Sequence, residues 1–229
     1  MRFPSAHEGV KLILISLIIG TINIVLLPVC IFVLQLVMAN TDRLLGGIVL
    51  SLLVVFAALI LSVCALVLQF VGLHRAGADE QRFRAAMTCA IVALCVGLVM
   101  GVGVGVATGL ATVLGNDAAL SSKLSSLMLA LVAVVAGVLS CGITHYIASG
   151  VRNLARKLGD EPMAAGCTRF QRTIAVFYGL TILISIASAL TRSGGTPNTW
   201  ISAISTAVSL GSAVVILEFL NRAKNMLAQ

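Results

Sequence analysis

Residues 44–73 read LLGGIVLSLLVVFAALILSVCALVLQFVGL, thirty residues without one charged side chain. As an α-helix this run is about 45 Å long at 1.5 Å per residue, against roughly 30 Å of bilayer hydrocarbon. Strand-like alternation is absent from it. Inside lipid every backbone N–H and C=O needs an internal partner, so such a run has to be a helix. Five further runs share its character, and the sequence predicts spans over 12–37, 44–73, 85–114, 124–148, 173–190 and 199–220. The expected fold is an all-α polytopic transmembrane helix bundle of six spans, one membrane domain over residues 1–229.

Composition points the same way. Apolar residues make up 59% of the 229 and charged residues only 10%, against roughly 45–50% and 25% in soluble domains. A soluble chain this apolar would expose large adhesive patches. The formal charge is +7, a balance that can serve nucleic acid. Here the cations sit in short segments between apolar runs, so no nucleic-acid partner is expected. Each fits instead against anionic lipid headgroups, where a cation is worth about 1 kcal/mol.

The placement of those cations sets a topology. Arg2 and Lys11 precede the first run; Arg75, Arg82 and Arg84 fill the second connection; Arg152, Arg156, Lys157, Arg169 and Arg172 fill the fourth; Arg222 and Lys224 follow the sixth. Only Arg43, Lys123 and Arg192 fall on the other side. Short Lys/Arg-rich loops stay cytoplasmic, so both termini are expected inside, in a multi-pass protein of the plasma (inner) membrane. An even number of spans is the only consistent one. The outer connections read as turns at Asn40-Thr41-Asp42, Asn116-Asp117 and Ser193 to Asn198, and Trp200 marks an interface where the sixth helix enters. The first run exceeds a signal-peptide core of roughly 7–15 residues and is expected to be retained. Five of the six cysteines lie inside spans and no C-x-x-C occurs, which argues against a disulfide framework.

The two long basic connections resemble each other. Leu73-His74-Arg75-Ala76-Gly77-Ala78-Asp79-Glu80 with Arg82-Phe83-Arg84 parallels Leu154-Ala155-Arg156-Lys157-Leu158-Gly159-Asp160-Glu161 with Arg169-Phe170-Gln171-Arg172. Leu220-Asn221-Arg222 and Arg2-Phe3 echo the two halves. Three related hairpins are one explanation, as in transporter folds built from parallel repeats; a shared loop composition is the other.

Small residues mark faces for helix contact. In the third span Gly97, Gly101, Gly105 and Gly109 recur every four residues, a glycine zipper that lets two backbones approach. The partner is another helix of the chain or the same helix of a second copy. Gly101, Gly103 and Gly105 alternate, which also allows a locally unwound site. Ser202, Ser205, Ser209 and Ser212 share one face of the sixth span, and Ala130, Ala133, Gly137, Cys141 and Thr144 one side of the fourth.

Polar groups at membrane depth are few. Asn23 lies near the centre of the first span, five residues before Pro28. An unpaired amide in hydrocarbon costs several kcal/mol, so Asn23 has to face a neighbour or a hydrated cavity. With Ser205, Ser209 and His145 it forms the candidate polar site. Glu218 precedes Arg222 by four residues, the favourable order for a helical ion pair. Gln35 and Gln69 are placed to reach the interfaces.

No H-E-x-x-H, G-x-S-x-G or P-loop occurs, and no catalytic residue, metal ligand or cofactor is expected. The leading expectation is a non-enzymatic membrane subunit or scaffold, packed and oligomeric, whose basic loops (Arg75, Arg82, Arg84, Arg152, Arg156, Lys157, Arg169, Arg172) meet lipid headgroups or a partner. A small-molecule transport component and a channel remain open as alternatives.

Overall fold

The computed structural model describes residues 3–40, 44–114, 118–191 and 199–228. They form six α-helices: α1 (Pro4–Asn40), α2 (Leu44–Asp79), α3 (Gln81–Leu114), α4 (Ala118–Leu158), α5 (Glu161–Thr191) and α6 (Thr199–Leu227). Among the described residues there is no strand. Each helix contains a stretch long and apolar enough to cross a membrane. Of the expected turns, Asn40 is the last residue of α1, while residues 41–42, 116–117 and 193–198 lie outside the described residues, as do the side chains of Cys30, Gln35, Lys123 and Ser202.

The helices run past the apolar runs at the basic ends. α1 begins at Pro4, a residue suited to the first helical position because its missing N–H has no partner there to lose. The second and fourth connections, read as loops from their charge, are almost wholly helical. Glu80 alone separates α2 from α3, and Gly159 with Asp160 separates α4 from α5. At the latter, the Gly159 N–H donates to Arg156 O (3.1 Å) and the Asp160 N–H to Ala155 O (2.9 Å), with Gly159 at φ +78°. That is a Schellman stop, which needs a residue tolerant of the left-handed region.

The outer surface is apolar. On α2, Leu52, Leu53, Phe56, Leu59, Ile60, Val63 and Val67 form one broad exposed face, and on α3 Val99 is 72% and Val102 66% exposed. Water is a poor solvent for such faces, and lipid a good one.

The chain divides into two compact units, Met1–Asp79 with Leu220–Gln229, and Glu80–Phe219. Unit 1 is organised by an antiparallel α1–α2 seam with three rungs. Gly9 meets Gly72, the Ser16 hydroxyl donates to Ala65 O (2.7 Å), and the Asn23 amide donates to Ala58 O (3.2 Å). On both helices the rungs are seven residues apart, the repeat of a left-handed seam. Ala6, Val10, Ile13, Leu73 and Ala76 are fully buried beside them. At the polar end the Ala6 N–H, an orphan donor of the first turn, donates to Asp79 Oδ2 (2.7 Å). Arg75 pairs with Glu8, and His7 Nδ1 lies 3.2 Å from Lys224 O.

In unit 2, α4 is central. Towards α3, Gly150 faces the fully buried Phe83 ring so closely that a Cβ would lie 2.7 Å from its edge. Towards α5, Thr144 Oγ1 is 3.3 Å from Tyr178 Oη, Gln171 Nε2 donates to Ser149 Oγ (2.9 Å), and Gly137 faces Ile182. Gly137 and Thr144 belong to the small-residue side foreseen for the fourth span. α5 meets α6 through Phe170 stacked on Phe219 (centroids 3.9 Å apart) and Phe177 against Gly211.

Candidate functional site

Asn23 belongs to unit 1, and Ser205, Ser209 and His145 to unit 2, so each is described in its own setting. The Asn23 Nδ2 donates to Ala58 O and to Ser62 Oγ (2.7 Å), and Ser62 in turn donates to Ala58 O (2.8 Å). Ala58 O accepts only, so the NH₂ is the group facing it. The Asn23 Oδ1 is buried with no hydrogen-bond partner among the described residues. The amide is therefore half satisfied by a neighbouring helix.

The serines of α6 are partly buried at Ser205, Ser209 and Ser212, and the Ser212 hydroxyl donates to Ser209 O (2.8 Å), a local backbone bond. His145 is exposed; its carbonyl accepts from Gln171 Nε2 (3.3 Å) and its ring meets Tyr146 edge-on.

The glycine face of α3 is open. A Cβ added at Gly97, Gly101, Gly105 or Gly109 would meet nothing within 4 Å. α3 meets α4 through its first turns, where Phe83, Ala86 and Ala90 are buried. Among the described residues no other helix lies within 4 Å of a Cβ added at Gly97 or Gly101.

The basic residues divide by whether a carboxylate answers them. In unit 2 Glu80, whose side chain is 10% exposed, receives Lys157 Nζ (2.7 Å) and Asn153 Nδ2 (3.1 Å) from α4. Burial alone would raise the Glu80 carboxyl. The hydrogen bonds from Lys157 and Asn153, the Lys157 charge and the Arg82 backbone N–H outweigh that and hold it below its ordinary value. Glu80 thus caps α3 while clamping its first turn to the end of α4. Asp160 caps α5 in turn, its Oδ1 accepting from the Met163 N–H (3.0 Å). Arg82, Arg156, Arg169 and Arg172 are exposed, and no described carboxylate lies within ion-pair distance of them. Arg152 differs: it is partly buried, and its Nε is buried without a partner.

In the sequence Asp79, Glu80 and Asp160 read only as loop acids, and Gly9, Ser16, Ala65 and Gly72 carry no local motif. The heptad spacing of Gly9, Ser16 and Asn23 against Ala58, Ala65 and Gly72 was the signal that would have found the seam.

Among the described residues no three His, Cys, Asp or Glu side chains group as metal ligands would. Cys64, Cys89, Cys95, Cys141 and Cys167 are free thiols. No protein-family model matches the chain, and comparisons with curated proteins and with solved structures found no match.

Proposed function

We propose that this chain is a non-enzymatic subunit or scaffold of the plasma membrane, spanning it six times with both termini in the cytoplasm and self-associating through α3. The observation that carries the reading is the open glycine face at Gly97 and Gly101, where no described residue lies within 4 Å of an added Cβ. Without side chains in the way, two such helices approach closely enough for dispersion and Cα–H···O contacts to hold them. The distribution of Lys and Arg supports the orientation. The hairpin repeat is supported by equivalent burial: Leu73, Leu154 and Leu220 are fully buried, while Arg75, Arg156 and Arg222, two residues on, are exposed. Native mass spectrometry in mild detergent tests the assembly. The reading expects an oligomer that Gly101→Leu or Gly105→Leu reduces to a monomer of unchanged helicity; a monomeric wild type ends it.

A second reading, a small-molecule transport component, is favoured by the Asn23 Oδ1, a buried acceptor awaiting a donor. It expects a polar solute to stabilise the wild type and not Asn23→Leu.

A further inference from the structure

We propose that the α4–α5 seam of unit 2 ends in a binding site for the phosphate of an anionic phospholipid headgroup, built on Arg152 and Arg156. The proposal rests on the reading of the chain as membrane-embedded and names a lipid class for its basic end.

The two arginines are one helical turn apart on α4 and continue the face that Ser149 turns towards Gln171 of α5. Arg152 follows Ser149 by three residues on the α4 face that bonds to α5, which places it at the seam. Its Nε–H is buried and makes no hydrogen bond, and a buried charged donor left unmade is costly. Arg156, further out, is exposed and has no carboxylate within ion-pair distance among the described residues. Of the carboxylates near this connection, Glu80 is committed to Lys157 and Asn153 and Asp160 to the start of α5, and Glu161 is exposed and forms no ion pair with either arginine among the described residues. An orphaned guanidinium edge beside a second, exposed guanidinium is a fork that matches the paired oxygens of a phosphate.

Two features favour a lipid phosphate over a free one. Arg152 is flanked along α4 by the fully buried apolar residues Val151, Leu154 and Ala155, close to the end of that helix's apolar stretch. The same two helices expose Val138, Val176 and Leu183 along their length, where acyl chains can lie.

The test uses the full chain in phosphatidylcholine nanodiscs with and without phosphatidylglycerol, and separately with inorganic phosphate. Retained lipid is read by native mass spectrometry and thermal stability by tryptophan emission. The expected result is retention of phosphatidylglycerol over phosphatidylcholine, with Arg152→Gln and Arg156→Gln each lowering retention about fivefold and Arg152→Lys less. Should Arg152→Gln fail to fold, Arg156→Gln and Arg152→Lys decide. Equal retention by wild type and folded variants overturns the proposal. So does protection by inorganic phosphate that phosphatidylglycerol does not exceed, which assigns the site to a free anion. A wild type that inserts but shows no lipid preference ends this proposal alone; one that cannot insert ends the membrane reading as well.

Discussion

Gly9 and Gly72 meet backbone to backbone: a Cβ on Gly9 would lie 2.5 Å from the Gly72 carbonyl oxygen, and one on Gly72 would lie 2.7 Å from that of Gly9. Neither distance is sterically allowed, so the α1–α2 crossing exists only because both residues lack a side chain. Gly9→Ala or Gly72→Ala has to spread the helices, with an overpacking penalty of about 1–3 kcal/mol. Gly20→Ala, eleven residues along α1, places a methyl where no described residue lies within 4 Å and leaves stability unchanged or raises it by up to about 1 kcal/mol. Unfolding in mixed micelles measures all three; equal effects at Gly9 and Gly20 would rule out the crossing.

Phe83 and Gly150 form the corresponding contact of α3 with α4. Phe83 is fully buried, so Phe83→Ala opens a cavity with a loss of about 3–5 kcal/mol. Gly150→Ala forces the ring aside. Combined with Phe83→Leu, it is expected to be less harmful than the separate effects predict, a coupling on the order of 0.5–3 kcal/mol. Simple additivity in the double-mutant cycle would show that the two do not touch.

The Glu80 clamp gives unit 2 an acid limit. Its carboxyl is held below the ordinary value, so the stabilisation is complete at neutral pH. It is lost as the pH falls from the ordinary carboxylate range through the lower one of Glu80. Lys157 is half exposed, which limits the pair to about 1 kcal/mol or less. Glu80→Gln is expected to lower neutral-pH stability and to flatten its acid dependence. An unchanged pH profile in that variant would remove Glu80 from the account.

Asn23 separates a packing amide from a site. If its role ends at Ala58 and Ser62, Asn23→Leu changes unfolding free energy by about 0.6 kcal/mol, the mean for hydrogen bonds between membrane helices. Stabilisation of the wild type by a polar solute that Asn23→Leu abolishes favours the transport reading.

Much of the fold was legible in the sequence, because a helix in lipid is announced by its length and apolarity alone. Tyr178, a polar group within the fifth span, is accommodated by Thr144. What escaped was how helices pair. Pro4 to Lys11 reads as a charged tail but is helix, and it supplies Ala6, Gly9 and Val10 to the seam. The regular glycines of α3 drew the eye, whereas the close crossing in unit 1 needs only Gly9, Gly72 and a small Ala76. A single glycine opposite another has no periodicity to betray it. Ionic partners were equally hidden: Glu80 and Lys157 are 77 residues apart, and only the fold brings them together.

The central claim, six helices crossing a bilayer with the basic ends inside, is tested most directly by impermeant thiol labelling of intact cells. A cysteine-free chain would carry one new cysteine, placed either before Arg2 or after Gln229. The account predicts that both positions are shielded until the cells are opened. Labelling of one end and not the other would mean an odd number of crossings and would contradict it.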